Sequence, residues 1–349
     1  MLKSAFASWL DENAELLDSH SAPEAGLLKR LAGEQLLSTG LSGTGHSTSS
    51  DAISAFEAIT AVAEHSLTAA FVLWGQRVFI ELLVNSENLP LKERLLPDLL
   101  QGTLAGATGL SNAMKFLAGI EPLRVEANPN DGDWQLKGHL PWVTNIPCPR
   151  FIVAVAAYSP RENALQVFAL PHHAEGLIRS ADLDLLGMRT SDTAALILDS
   201  VRLGADWLLH SNARDYLPQV RPAFLAMQCG LACGVARRAL YEANACCGAN
   251  APKLQAFSAQ VEAAINALKD GLAQGLFLKA PAKQFEIRIQ LTEIAMEAVQ
   301  LELTSKGGNA YTDKGFARRW REAAFLPILT PSLLQLKAQL QQASQAVRQ

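Results

Sequence analysis

WQLKGHLPWVTN, running from Trp134 to Asn145, decides the reading of this chain. Polar and apolar residues roughly alternate along it, which is the two-residue period of a half-buried strand. FIVAVAAY (Phe151 to Tyr158), LQVFALP (Leu165 to Pro171) and AALILDSVRL (Ala194 to Leu203) are short apolar runs rich in β-branched and aromatic residues. Turn-forming stretches separate the runs: NPNDGD (Asn128 to Asp133), SPREN (Ser159 to Asn163) and the region of Gly187. Strands at this spacing predict a compact β-barrel or sandwich over residues 106–210.

On either side the period changes. Ala52, Phe56, Ile59, Ala63 and Ser66 share one helix face, and Thr68 to Val84 continues in the same manner. GLSGTGHSTSSD (Gly40 to Asp51) reads as a loop in which Ser49, Ser50 or Asp51 caps the next helix. It lacks the Lys of a phosphate-cradling P-loop. After residue 211, RPAFLAMQCGLACGVARRALYEANACC is so full of Ala, Cys and Gly that it must pack closely against neighbours. Residues 253–280 and 284–305 continue as long helices, with Pro281 between them and Gly307-Gly308 after them. The expectation is a multidomain α+β chain. A helical domain spans 1–105, a middle β domain 106–210, and a C-terminal four-helix bundle 211–349.

Composition narrows the function classes. The 349 residues are 49% hydrophobic and 18% charged, with 30 Lys+Arg against 34 Asp+Glu and a net charge of −4. This is a globular composition, and its slight acidity argues against a nucleic-acid partner or a polybasic membrane anchor. No unbroken apolar run reaches membrane-spanning length, and the N-terminal MLKSAFASWLDENAELL mixes apolar with acidic residues, unlike a signal peptide. Cys148, Cys229, Cys233, Cys246 and Cys247 have no zinc-like spacing, and no histidine lies downstream of His210, so they read as reduced thiols rather than a metal site. Their odd number fits a reducing compartment, and a cytoplasmic protein is expected.

Four segments together resemble the acyl-CoA dehydrogenases and their flavin-dependent relatives. LPDLLQGTLAGATGLSN (Leu96 to Asn112) is similar to the junction of the first helical domain with the β domain. LKGHLPWVTN (Leu136 to Asn145) is similar to the family's Gly-Lys-x-Trp-Ile-Thr-Asn strand pair. LLGMRTSDTAALILDSVRL (Leu185 to Leu203) and GGNAYTDKGFARRWREA (Gly307 to Ala323) follow in family order. The resemblance implies FAD as cofactor, with Trp142 packed beside the isoalloxazine ring and Thr144 hydrogen-bonded to its N5/O4 edge. It implies a hydroxyl to the flavin pyrimidine from Thr108 or Ser111. It also implies that the backbone at Gly307 and Gly308 approaches the FAD pyrophosphate of a neighbouring subunit, hence a homodimer or homotetramer. The small residues Ala226, Cys229, Gly230, Cys233, Gly234 and Ala236 are read as serving that assembly.

The departures are as informative. The family's Thr/Ser-Glu-Pro and Gly-Ser-Asp are eroded to Thr108-Gly109-Leu110-Ser111-Asn112. Its adenosine-side Arg-x-x-Phe-Gly is missing from CCGANAPKLQAFS, and Thr304 stands in place of a Gln, which leaves FMN as an alternative to FAD. The catalytic Glu-Gly-Thr becomes Thr330-Pro331-Ser332, and the alternative base position within Pro222 to Met227 holds no acid. Three readings follow: a dehydrogenase-like oxidoreductase acting on an acyl-CoA or related substrate, a flavin-dependent monooxygenase of the same fold, and a non-catalytic member. Glu242 and Glu322 are conceivable replacement acids, each expected on a solvated helix surface. His65 is a conceivable stand-in for the histidine that the monooxygenases keep in the last domain.

Overall fold

The computed structural model describes residues 2–19, 26–41, 48–246 and 250–346. Five helices come first: α1 (Ser4–Asp18), α2 (Leu27–Gly33), α3 (Ser49–Ala63), α4 (Leu67–Val84) and α5 (Leu89–Leu100). Half of the Gly40 to Asp51 loop, residues 42–47, lies outside the described residues. Its end carries the cap of α3, and that cap is Thr48 rather than the residues after it. Asp51 N–H donates to Thr48 Oγ1 at 3.3 Å, and Thr48 N–H donates to Asp51 Oδ2 at 2.7 Å. This reciprocal pair satisfies two of the N–H groups that every helix start leaves unpaired.

Helix α4 is 18 residues long and apolar enough to span a bilayer, yet every one of its residues is buried inside the protein. It is the central post of the helical core.

The strand region opens with β1 (Ala105–Thr108), followed by the short helix α6 (Ser111–Leu117). Strands β2 (Val125–Asn130), β3 (Asp133–Val143), β4 (Phe151–Ser159), β5 (Ala164–Pro171), β6 (Leu177–Asp182), β7 (Ala194–Leu203) and β8 (Leu208–His210) complete it. The sheet runs β6-β7-β3-β2-β4-β5-β8, with β1 added parallel to β4. NPNDGD makes the β2–β3 hairpin, where Asp131 and Gly132 both take positive φ. SPREN makes the β4–β5 hairpin. Leu136 to Val143 belongs to one strand, β3, with irregular register against β7, rather than to a strand pair. The sheet curls so far that Trp134 of β3 meets Phe168 of β5 edge-on, ring centres 5.5 Å apart, over one apolar interior.

The chain then returns to helices: α7 (Ala213–Asn244), α8 (Ala251–Ala273), α9 (Leu276–Lys279), α10 (Pro281–Lys306), α11 (Lys314–Phe325) and α12 (Leu333–Ala346). Pro281 sits in the first turn of α10, where its missing N–H costs nothing, and α10 packs against α7, α8 and α12. Cys247 lies outside the described residues.

The small-residue face of α7 is used inside the chain. A Cβ on Gly230 would lie 2.9 Å from Phe56 O, and one on Gly234 would lie 2.4 Å from Ala63 Cβ. The stripe is therefore filled by α3 of the same chain. This corrects its reading as an assembly surface, and one continuous apolar core joins the helices at both ends of the sequence.

Candidate functional site

Thr108 ends β1, and three residues later Ser111 begins α6. The turn between them is tied to the sheet by Gly109 N–H donating to Ala154 O at 2.8 Å. The turn packs closely at Gly109, where a Cβ would come within 2.5 Å of Leu140 Cδ1 and force that side chain to shift. Beside this turn opens a cavity of about 180 Å³ lined by Gly109, Ser111, Asn112, Lys115, Glu121, Arg124, Leu140, Pro141 and Trp142. Trp142 is 59% exposed, an open aromatic face at the end of β3.

Ser111 reaches across the molecule. Its Oγ lies 2.9 Å from Thr330 Oγ1 on the segment after α11, so two sequence-predicted residues meet over a separation of 219 positions. Gln228 of α7 donates to Thr330 O at 2.7 Å. Gln228 in turn accepts a long bond from Arg288 Nε at 3.4 Å. Arg288 is fully buried on α10, also donates to Leu326 O at 3.2 Å, and is bonded to Thr292. Burial pulls its pKa down from the usual guanidinium value. Among the described residues, the side-chain hydrogen bonds of this group join hydroxyls, amides and a guanidinium, with no carboxylate.

Thr144 follows β3. Its Oγ1 lies 2.9 Å from Thr193 Oγ1, which lies 2.8 Å from Ser191 Oγ. The next residue, Asn145, has positive φ and is held on three sides. Its N–H donates to Ser191 O at 2.9 Å, and its Nδ2 donates to Gly106 O at 2.8 Å and to Gln76 Oε1 at 3.0 Å. Gln76 also accepts from Gly106 N–H at 2.6 Å and donates to Leu99 O and Leu104 O at 2.8 and 3.0 Å. This one side chain of α4 fixes the turn that carries Thr144. Sequence reasoning missed it, although a Gln inside an apolar helix was a visible signal.

Between Ser191 and Thr193 sits Asp192. Burial pushes its carboxyl up to about 6, repulsion from Asp182 adds to this, and Arg179 opposes it. Arg179 is already committed, to Asp182, Ile146 O and Ser180 O.

The helical side is closely filled. Phe71 stacks on Trp74 with ring centres 5.4 Å apart, Phe325 meets Phe71 edge-on at 4.9 Å, and Phe224 meets Trp74 at 5.5 Å. The nearby void, lined by Val78, Leu110, Met114, Val220 and Phe224 among others, is about 20 Å³. That is space for a single water, since one needs roughly 10–15 Å³ by this measure. Trp74 Nε1 is buried with no hydrogen-bond partner among the described residues.

The two replacement acids are structural. Glu322 is 1% exposed, not on the surface as expected. It accepts from Leu67 N–H at 3.1 Å, capping α4, and pairs with Arg318 at 3.1 Å. Glu242 lies in a half-buried ionic cluster with Lys306 at 2.9 Å and Arg238 at 3.0 Å. Burial raises its pKa, but the Lys306 hydrogen bond and the nearby arginines outweigh this and hold it below the usual range. His65 Nδ1 lies 3.0 Å from Asp11 Oδ1 but is too poorly aligned for a hydrogen bond. Gly307 and Gly308 are exposed, and a Cβ on either would meet nothing within 4 Å. Only Gly307, at φ +56°, needs to be glycine for its backbone.

The open aromatic face of Trp142, the hydroxyl of Thr144 two residues on and the polar cavity beside Ser111 form a set of groups that fits a flavin. No family model matches the chain. It is 29% identical over 143 residues to the mitochondrial isovaleryl-CoA dehydrogenase of Pongo abelii, covering 40% of this chain and 34% of that protein. It is 24% identical over 259 residues to the probable acyl-CoA dehydrogenase YngJ of Bacillus subtilis, covering 68% and 67%. The match with the first of these relatives thus spans about a third of that relative's length. Among solved structures, a glutaryl-coenzyme A dehydrogenase bound to glutaryl-CoA superposes with a TM-score of 0.87 at 16% identity, over 98% of this chain and 93% of that one. A glutaryl-CoA dehydrogenase of Mycobacterium smegmatis in complex with FADH2 gives 0.80 at 17%, over 97% and 91%.

Proposed function

We propose that this chain, acyl-CoA dehydrogenase-like in fold and sequence, is a flavin-dependent oxidoreductase that binds FAD against Trp142 and Thr144. The observation that carries the reading is the exposed face of Trp142, two residues before the anchored Thr144 hydroxyl and beside the polar cavity. FAD supplies a hydride acceptor when bound. Trp142 offers the face on which the ring rests. Thr144, held by Thr193 and by the Gln76-bound turn, offers a hydroxyl to the ring edge. An FADH2-bound structural neighbour supports FAD, and FMN has no comparable support.

Oxidation of an ordinary acyl thioester also needs a base for the α-proton. Neither Thr330 nor Ser111 ionises at neutral pH, and Gln228 and Arg288 accept no proton there. A positioned base contributes roughly 10²–10⁴-fold. Straight-chain acyl-CoA substrates are therefore expected to be oxidised very slowly. That no carboxylate hydrogen-bonds to the Thr330 group among the described residues favours, as second reading, a monooxygenase of the same fold, whose chemistry needs a dry pocket rather than that base. The test is turnover with an artificial electron acceptor across acyl-CoA lengths, for the native chain and for Thr330→Glu. Faint activity that the variant raises supports the reading. Rapid turnover by the native chain refutes it.

A further inference from the structure

Beside Trp142 the cavity carries charges that the proposed oxidation does not use. Lys115 Nζ lies 3.5 Å from Glu121 Oε1, and Arg124 Nη2 lies 3.7 Å from Glu121 Oε2. Glu121 is anchored from its other side. The buried Asn112 donates to Glu121 Oε1 at 2.8 Å and to Pro122 O at 2.9 Å, and accepts from Arg124 N–H at 2.8 Å. The Asn112 hydrogen bond, aided by both cations against partial burial, keeps the Glu121 carboxyl below the usual carboxylate range. The cluster thus holds one carboxylate and two cations, a net positive charge. Charge-assisted N–H···O bonds at full strength are about 2.7–2.9 Å long, so both cations are only loosely engaged and keep donors to spare.

We infer that this cavity takes the phosphoryl group of the flavin nucleotide, gripped by Lys115 and Arg124 with Ser111 as a further donor. The inference rests on the flavin reading above. At about 180 Å³ the space is far larger than the void between α4, α6 and α7 and holds roughly a dozen waters. That admits a phosphoryl group and the carbon carrying it, beside the two cations. The ring stays outside, on the exposed face of Trp142. Glu121 sets the orientation of both cations and is balanced by them.

The test is binding of FAD, FMN and riboflavin to the purified full chain, followed by flavin fluorescence at low salt. FAD and FMN are expected to bind about ten-fold or more tightly than riboflavin, the margin of one good ionic contact. Lys115→Gln/Arg124→Gln should erase that margin while leaving riboflavin affinity unchanged. Inorganic phosphate should displace FMN and not riboflavin. Equal affinity of the native chain for FMN and riboflavin overturns the inference but leaves the flavin reading standing, as does a double variant that keeps the preference. No binding of any flavin overturns both. The comparison of ligands on the native chain holds even where the double variant fails to fold.

Discussion

Replacing Asp192 by Asn should stabilise the protein at neutral pH and do nothing in acid. The carboxyl is raised from 3.8 to about 6 in the folded chain, chiefly by burial. The folded state therefore holds this proton more tightly than the unfolded state. The stabilisation it brings is complete below about pH 4 and is lost as pH rises through about 6. Two pH units correspond to about 3 kcal/mol, and partial solvent contact brings the expected gain to about 1–3 kcal/mol above pH 7. Asn has nearly the shape of Asp and tolerates the positive φ of 49° at this position. The assay is urea unfolding of both proteins between pH 4 and pH 8, reading the difference between them so that all shared titrations cancel. A variant advantage that appears between pH 4 and 6 and then levels off supports the argument. A difference that is flat with pH, or a variant less stable at pH 8, refutes it.

Gly234→Ala should destabilise by about 1–3 kcal/mol, read as a lower urea midpoint, because the added methyl meets Ala63 Cβ at 2.4 Å and Thr60 O at 2.5 Å between α7 and α3. Thr144→Ala should weaken FAD binding about three- to ten-fold, the worth of one net hydrogen bond, or slow flavin reduction, as followed by titration and by stopped-flow absorbance.

Local chemistry was legible in the sequence; long-range pairing was not. The strand runs and their turns announce themselves because the period of two and the turn residues are properties of neighbours. So does the approach demanded by Gly230 and Gly234, though not its partner: the stripe is filled by α3, some 170 residues earlier in the chain. Glu322 looked like a surface acid because α11 is strongly amphipathic and rich in arginine. Only the fold reveals that Leu67 N–H and Arg318 enclose it. The Ser111–Thr330 contact was hidden for the same reason, since each hydroxyl alone looks like an ordinary turn residue. The α3 cap was misplaced by a single position because Thr48, Ser49, Ser50 and Asp51 are all good capping residues.

Gln76 has a consequence for how this chain can change. Its amide uses both hydrogens and both lone pairs, and the four groups it serves are backbone or side-chain atoms of three separate segments. Glu would turn an acceptor toward the carbonyls of Leu99 and Leu104. Lys would turn donors toward Gly106 N–H and Asn145 Nδ2, and Met would leave all four unanswered. No other coded side chain offers two donors and two acceptors at that reach, so mutation at this position has no neutral neighbour to drift to. Anyone grafting the Trp142–Asn145 turn onto another protein must carry a stretch of α4 with it, because the shape of that turn is specified about seventy residues away.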